Sequence, residues 1–165
     1  MTSDYSNQDL LPLRPGPPGT KPPHVLLIED DDGMRDMLAE AFRRQGWKVT
    51  ECVDGFRWLH SCVRETSSPE PAEYAESEPY NVVVSDVRMP NMSGLDVLRI
   101  LCASRCLDVC PPTIFITAFG DGQTHEKASE LGAAAVLDKP FTVGDLIEKV
   151  RGVTMARART RKEKR

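Results

Sequence analysis

Short apolar runs alternate with amphipathic segments along residues 24–152. Val25 to Ile28 form a continuous apolar run, which is typical of a strand covered on both faces. The next segment lies between Asp31 or Asp32, either of which can cap a helix, and Gly46, which can end one. Its apolar residues recur at helical spacing: Met34, Met37, Leu38, Ala41 and Phe42. The pattern therefore predicts a strand followed by an amphipathic helix.

The same unit recurs through the rest of the chain. The further predicted strands are residues 47–52, 80–85, 113–117 and 134–137. Helices follow each strand, and the fourth is expected to end at Gly132. Their inward-facing residues are predicted to be Phe56, Leu59 and Val63 in the second helix, Leu95, Leu98 and Leu101 in the third, and Val143, Leu146, Ile147 and Val150 in the fifth. Five strands alternating with five helices predict an α/β fold, a doubly wound parallel sheet with helices on both faces.

Three segments lie outside this alternation. Residues 1–23 contain six prolines and few large apolar side chains, which predicts a disordered proline-rich leader. Residues 66–79 are rich in proline and glutamate and are predicted to be an extended flexible loop. Residues 153–165 are predicted to be a basic tail. One domain over residues 24–152 remains, with residues 66–79 as a loop inside it.

The charge of the chain is unevenly distributed. The net charge is −4, yet residues 157–165 carry six basic side chains against the single acid Glu163. The body is therefore acidic, which argues against a globular surface built for nucleic acid. Nucleic-acid binding by residues 157–165 is an alternative function, but the tail has no aromatic residue for base stacking and no helix-turn-helix pattern, so only weak phosphate attraction could result. A solvated end of the last helix is the favoured interpretation, and binding that persists at high salt would count against it.

The five cysteines do not form a metal or redox motif. They are odd in number and lack paired close spacing, so reduced thiols are expected: Cys52, Cys62, Cys102, Cys106 and Cys110. The last three recur every four residues, but Pro111 follows them at once and argues against one continuous helical metal face. No apolar run of about 18 residues and no secretion signal is present, so we expect a cytoplasmic protein with no membrane partner.

Chemically versatile side chains stand at the ends of the predicted strands. Glu29 and Asp30 follow the first strand, Asp86 the third, Thr117 the fourth and Lys139 the fifth. Parallel strands end at one edge of a sheet about 4.8 Å apart, so these side chains are expected to converge. Three converging carboxylates repel one another unless a cation joins them, and Mg²⁺ suits such a site. Helix capping alone explains neither Asp86 nor the lysine that precedes Pro140.

Four motifs stand at these positions: VLLIEDD at 25–31, VVVSDVRMPNMSGLD at 82–96, ITAFGD at 116–121 and DKPF at 138–141. In this order and at these separations they resemble the receiver domain of two-component response regulators, of the single-domain, chemotaxis-regulator type. The resemblance covers roughly residues 24–152. It implies a flavodoxin-like (βα)5 fold with strand order 2-1-3-4-5.

The resemblance also implies an aspartyl-phosphate mechanism. Asp86 would accept a phosphoryl group from the phosphohistidine of a sensor histidine kinase or a phosphotransfer protein. Asp30 and Asp86 would bind Mg²⁺ directly, Glu29 through water, and Arg88 through its backbone carbonyl, and Mn²⁺ is an alternative ion. Glu29 replaces a more frequent aspartate, which lengthens the arm but keeps its charge.

Further residues are implied to transmit the signal. Thr117 would hydrogen-bond the phosphoryl group and Lys139 would form an ion pair with it, while Ala118 begins the loop that moves. The bond before Pro140 is expected to be cis. Val136 stands where many receivers have a Tyr or Phe, so the aromatic part of the switch is absent or moved. A downstream protein would bind the face of the fourth helix, fifth strand and fifth helix.

Two readings of the chemistry remain. The first is a stand-alone switch that catalyses only its own phosphorylation and dephosphorylation, and is otherwise not an enzyme. The second is a magnesium-dependent phosphohydrolase that uses an aspartyl-phosphate. Such an enzyme usually needs a carboxylate two residues after the nucleophile, and Arg88 occupies that position. Steady turnover of a small phosphate ester would favour the second reading.

Overall fold

A computed structural model of the chain describes residues 21–58, 80–103, 110–118, 120 and 122–163. The elements are β1 (His24–Ile28), α1 (Asp32–Arg44), β2 (Lys48–Cys52), β3 (Val82–Asp86), α2 (Gly94–Ala103), β4 (Thr113–Thr117), α3 (Gly122–Glu130), β5 (Ala135–Asp138) and α4 (Val143–Glu163). Residues 55–58 form a helical turn that opens the second predicted helix. The labels α2, α3 and α4 thus denote the third, fourth and fifth predicted helices.

The five strands form one parallel sheet in the order β2-β1-β3-β4-β5. This order confirms the predicted doubly wound, flavodoxin-like fold. The second, third and fifth strands begin one or two residues later than predicted. Trp47 and Tyr80, which were assigned to strand starts, are instead buried just ahead of β2 and β3.

The core lies on both faces of the sheet. Every residue of β1, β3 and β4 is buried, as their continuous apolar runs predict. One face packs against α1 and α4, where Phe42 and Leu146 meet Val25 and Val84. The other face holds two clusters, one around Trp58 and one around Phe115.

Helix α1 begins and ends where the sequence indicates. The Asp31 carboxylate accepts a hydrogen bond from the Met34 N–H at 2.6 Å and so caps the helix. Gly46 follows the helix with a φ of 79°, a conformation that glycine adopts without strain. Met37, one of the apolar residues at helical spacing, is 47% exposed and lies outside the core.

The second predicted helix is turned differently from the expectation. Phe56 is 54% exposed and Trp58 only 2%, so the inward placement of Phe56 is wrong. Asp54 caps this turn by accepting a 2.6 Å hydrogen bond from the Arg57 N–H. Gly55 packs so closely on Val97 that an added Cβ would lie 2.0 Å from a Val97 methyl. Residues three apart share a helix face, so Gly55 and Trp58 face inward and Phe56 faces out.

The other inward assignments are confirmed where they are described. Leu98, Leu146, Ile147 and Val150 are buried, Leu95 and Val143 are partly buried, and Gly132 follows α3 with a φ of 79°. The Leu59, Val63 and Leu101 side chains lie outside the described residues. So do residues 1–20 of the predicted leader and the whole predicted loop 66–79.

Residues 153–163 of the predicted tail belong to α4, which continues to Glu163. No helix in the described part of the chain is both long and apolar enough to cross a membrane.

The cysteines differ from the expectation. Cys102 and Cys110 are joined by a disulfide with their Cα atoms 5.3 Å apart, so the prediction of reduced thiols is wrong for this pair. The end of α2 and the approach to β4 bring them together, which the spacing in the sequence does not reveal. Cys52 lies outside this bond and is buried at the end of β2. Cys62 and Cys106 lie outside the described residues.

Candidate functional site

Three carboxylates meet at the carboxyl edge of the sheet. Glu29 and Asp30 follow β1, and Asp86 is the last residue of β3. Because β1 and β3 are neighbours, with Ile28 opposite Ser85, the side chains converge as predicted. One oxygen from each carboxylate lies within 4.8 Å of the other two. Glu29 and Asp86 are buried, whereas Asp30 is exposed and opens the group to solvent.

Lys139 is the cation of this cluster. It follows β5, and its ammonium donates to Asp86 Oδ2 at 2.6 Å and to Glu29 Oε2 at 3.5 Å. Burial acts to lower the pKa of Lys139, but the hydrogen bond and charge of Asp86, with the charge of Glu29, outweigh burial and raise it. The ammonium therefore stays charged. The Lys139–Pro140 peptide bond is cis, in agreement with the expectation.

The Glu29 carboxyl has a pKa that is shifted by its burial and its charged neighbours. Burial, followed by the neighbouring charges of Asp86 and Asp30, raises its pKa above the ordinary value. The charge of Lys139 and the Asp31 N–H, which donates to Glu29 Oε1 at 3.3 Å, act in the opposite direction without cancelling the shift. One lysine thus leaves the negative charge of three carboxylates incompletely compensated.

The donor set fits a small hard cation. Carboxylate oxygens, two of them on buried side chains, are the ligands that Mg²⁺ takes from proteins, and Mg²⁺ keeps several waters besides. The exposed side at Asp30 leaves room for those waters. Glu29, Asp30 and Asp86 are therefore the residues that would hold the ion.

Close backbone packing holds Asp86 in place. Its Oδ1 accepts a hydrogen bond from the Arg88 N–H at 2.8 Å, and its backbone carbonyl accepts one from the Ser85 hydroxyl at 3.0 Å. Gly94 opens α2 directly against this carbonyl, since an added Cβ would lie 2.2 Å from the Asp86 oxygen. The turn after β3 therefore fixes Asp86 Oδ1, while Oδ2 faces Lys139.

Arg35 supports the acidic turn and was not found from the sequence. Its guanidinium donates at 2.9 Å to the Glu29 backbone carbonyl, which lies in the turn between β1 and α1. It also pairs with Asp32 and lies 3.9 Å from a Glu51 oxygen. The sequence offers one signal for this role. Arg35 lies one turn into the helix that follows Glu29 and Asp30.

Thr117 ends β4, and Val136 lies on β5 opposite Phe115. Thr117 is fully buried at the end of β4, and its backbone carbonyl accepts from the Lys139 N–H at 2.7 Å. Ala118, the next residue, is exposed. Val136 is partly buried and packs with the Phe115 cluster. The edge thus brings Thr117 and Lys139 together at adjacent strand ends.

A second contact missed from the sequence ties α3 to β5. His125 Nε2 lies 2.9 Å from Asp138 Oδ1, and both side chains are partly exposed. Gly120 packs against the same carboxylate, because an added Cβ would lie 1.9 Å from Asp138 Oδ1. Asp138 therefore contacts both the loop after Thr117 and the first turns of α3.

Comparison with known families identifies this arrangement. Residues 25–151 match the family model of the response regulator receiver domain. The chain belongs to this family. Receiver domains are phosphoryl-accepting signalling modules of two-component systems that bind Mg²⁺ through acidic residues and interact with histidine kinases or phosphotransfer proteins.

Individual relatives of this receiver differ in length. The transcriptional regulatory protein PdtaR of Mycobacterium tuberculosis is 33% identical over 127 residues, which are 76% of this chain and 54% of PdtaR. The chain thus spans about half the length of that relative. The response regulator receiver protein CpdR of Brucella abortus is 28% identical over 134 residues, which are 80% of this chain and 97% of CpdR.

A solved receiver structure has the same fold. The receiver domain of the Francisella response regulator 1452 superposes with a TM-score of 0.64 at 25% identity. The superposition covers 81% of this chain and 98% of that domain.

Proposed function

We propose that this receiver is a stand-alone cytoplasmic response regulator that takes a phosphoryl group onto Asp86. The donor is a phosphohistidine on a sensor histidine kinase or a phosphotransfer protein, and the output is a phosphorylation-controlled protein–protein interaction. The observation that carries the proposal is the buried Asp86 carboxylate, held 2.6 Å from Lys139 beside Glu29 and Asp30. The stand-alone part rests on the likeness to CpdR, of which the chain covers 97%.

The transfer joins an Asp86 carboxylate oxygen to phosphorus while the phosphorus–nitrogen bond of the donor histidine breaks. The imidazole leaves with the bonding electron pair and takes up a proton. Little covalent work falls to the protein, so positioning and charge compensation supply the catalysis. Lys139 already touches Asp86 and compensates the negative charge that builds up on the phosphoryl oxygens.

The metal ligands follow from the same cluster. Mg²⁺, or Mn²⁺ in its place, neutralises charge on the phosphoryl oxygens when bound. Asp30 and Asp86 would hold the ion directly, Glu29 would act through a water, and the Arg88 backbone carbonyl would complete the protein ligands. The exposure of Asp30 at the open side of the group supports its role as a direct ligand.

The signal then travels from Thr117. Its hydroxyl bonds the new phosphoryl group and draws the loop from Ala118 with it, which reshapes the face of α3, β5 and α4 that binds the downstream protein. One charge-assisted hydrogen bond is the motive force. Val136 has no ring to fill the space that Thr117 leaves, so the hydroxyl and loop carry most of the coupling and the shift is modest.

Labelling with a small acyl phosphate tests the phosphoacceptor. The parent protein, incubated with acetyl phosphate and MgCl₂, should gain the mass of one phosphoryl group, whereas Asp86→Asn should gain none. Asp36→Asn, an exposed acid on α1, is the matched control and should label like the parent. Full-rate labelling of Asp86→Asn would refute the assignment, and steady release of inorganic phosphate in many turnovers would favour a phosphohydrolase instead.

Amide exchange tests the transmitter. Thr117→Ala should still be phosphorylated, yet show little change in exchange over residue 118, residue 120 and α3 when it is phosphorylated. Thr117→Ser keeps the hydroxyl and should respond like the parent. If Thr117→Ala responds as fully as Thr117→Ser, the hydroxyl does not transmit the signal.

A further inference from the structure

A pair of cysteines stands at the end of the sheet opposite the phosphorylation site. Cys102 lies in the last turn of α2, and Cys110 lies three residues before β4. Their Cα atoms are 5.3 Å apart, within the range that a disulfide spans without movement of the backbone. The two sulfur atoms are bonded in the structure.

The pair is accessible to small molecules on one side. Cys102 is exposed and Cys110 is half-buried, so Cys102 is the more accessible residue of the pair. Cys52 is buried at the end of β2 and lacks this access. Exposed disulfides exchange readily with thiols, whereas buried thiols are inert.

We propose that Cys102 and Cys110 form a reversible dithiol–disulfide site, whose oxidation ties the end of α2 to the approach of β4. With hydrogen peroxide as the oxidant, one thiolate attacks an oxygen atom and breaks the O–O bond, which gives a sulfenic acid and releases one water after protonation. The second thiolate attacks that sulfur, forms the S–S bond and displaces the second water. The pair loses two electrons, and the peroxide gains them.

Reduction proceeds by two thiol exchanges. A small thiolate attacks one sulfur of the bond and forms a mixed disulfide, and a second thiolate then releases the protein thiol and leaves as part of a small disulfide. The exposed Cys102 is the sulfur that an attacking thiol reaches first.

The disulfide lies against the side chains that pack on β4, the strand that leads into the loop from Ala118. Cys110 packs against a buried cluster that joins the turn after β3 to α2, β4 and α3: Val87, Leu98, Phe115 and Ala128. Phe115 and Thr117 are two apart on β4 and so lie on the same face of the sheet. The disulfide therefore stiffens the side of β4 on which Thr117 stands, and its reduction loosens the contact between α2 and this cluster.

Mass spectrometry of the intact full-length chain tests the site without reference to phosphorylation. The reduced protein is equilibrated in buffers of glutathione and glutathione disulfide, and remaining thiols are trapped with an alkylating reagent. We expect one internal bond, seen as the loss of two hydrogen masses, with Cys52 unaffected. Dithiothreitol under native conditions should restore both thiols.

Peptide mapping identifies the partners. Cleavage after Arg105 and before Asp108 separates Cys102, Cys106 and Cys110 onto three peptides. The bonded pair should join the Cys102 and Cys110 peptides. Cys106→Ser is the matched control and should keep the bond, while Cys102→Ser and Cys110→Ser should lose it.

Three results would overturn the proposal. The first is a disulfide that includes Cys106. The second is a pair that stays reduced across the whole buffer range, and the third is a disulfide that dithiothreitol fails to reduce in the native protein. The oxidised form should also melt several degrees above the reduced form, because the bond closes a loop of the unfolded chain. An equal melting temperature would show that the bond does not stiffen the fold. Since Asp86→Asn keeps all these cysteines, the same tests on that variant separate this site from the phosphorylation proposal.

Discussion

The two edges of the sheet are built from opposite kinds of polar group. At the amino edge, the His24 N–H donates to Asn81 Oδ1 at 2.7 Å, and the His24 ring shares a 2.8 Å hydrogen bond with the Thr50 hydroxyl. The same ring packs on Tyr80 with centroids 4.7 Å apart. At the carboxyl edge, Glu29, Asp30 and Asp86 lie close together, and one lysine pairs with Glu29 and Asp86. The polar groups of the first edge pair with one another, whereas the second edge holds excess negative charge.

The difference separates stability from function within one sheet. The hydrogen bonds at the amino edge add to the stability of the fold whatever is bound. Like charges at the carboxyl edge cost stability until a cation or a transferred group changes their balance. Binding of a cation or of a phosphoryl group therefore acts at the carboxyl edge, where charge repulsion destabilises the metal-free protein. Substitutions at the two edges should have different consequences.

The largest effect is expected from Lys139→Met. Without the ammonium, the buried carboxylates of Asp86 and Glu29 face each other unpaired, which should lower the free energy of unfolding by about 3 kcal/mol in EDTA. Mg²⁺ should recover a large part of this loss. Denaturant titrations with and without the ion measure both effects, and Lys127→Met, at an exposed position on α3, is the control. Equal stability of Lys139→Met and the parent in EDTA would show that the lysine does not hold this edge together.

The next effect is expected from Gly94→Ala. Its methyl group would lie 2.2 Å from the Asp86 carbonyl oxygen, so the turn after β3 must shift, at a cost of about 2 kcal/mol. Phosphorylation by acetyl phosphate should slow as well, because Asp86 moves with its backbone. Gly122→Ala is the control, since an added Cβ there meets nothing within 4 Å. If both variants are labelled and unfold like the parent, the packing of Gly94 on the Asp86 carbonyl does not hold Asp86 in place.

A smaller effect is expected from Asp30→Asn. Loss of a direct ligand should weaken Mg²⁺ binding by about tenfold or more, or roughly 1.4 kcal/mol, and by more than Glu29→Gln does. Calorimetric titration measures the affinities. In EDTA the melting temperature of Asp30→Asn should equal or exceed that of the parent, because one repelling charge is gone. A large fall in that temperature would contradict the role assigned to Asp30.

The smallest effect is expected from Asn81→Ala at the amino edge. The His24 N–H loses its acceptor, which should cost about 1 kcal/mol of unfolding free energy. Asn81→Asp retains an acceptor oxygen and should recover stability. Mg²⁺ affinity and labelling of Asp86 should not change in either variant. Any loss of metal affinity would mean that the two edges are coupled through β1 and β3.

The sequence predicted the elements whose physics is local. The apolar run at 25–28 and the run at 113–117 identify buried strands, and Asp31 and Gly46 mark the ends of α1, because burial, capping and backbone preference act within a few residues. The convergence of Glu29, Asp30, Asp86 and Lys139 followed from the rule that parallel strands end at one edge. The strand order itself came from the family resemblance.

Contacts between distant elements were not predictable in the same way. Periodicity could not decide between Phe56 and Trp58 for the inner position, since the close approach of Gly55 to Val97 sets the rotation of that turn. The reach of Arg35 to the Glu29 carbonyl, the contact of His125 with Asp138 and the Cys102–Cys110 bond all depend on how helices sit on the sheet. Spacing along the chain carries no record of that placement.

Helix α4 extends well beyond the part of it that contacts the core. The helix runs without a break from Val143 to Glu163, and Val153 is the last apolar residue in its contact with the core. At 1.5 Å per residue, the backbone at Glu163 stands about 15 Å further along the axis than that of Val153. When the helix tilts, a spectroscopic label at Glu163 moves further than the part of the helix that contacts the core. A small rearrangement of the face of α3, β5 and α4 would therefore give a measurable change of distance at the label.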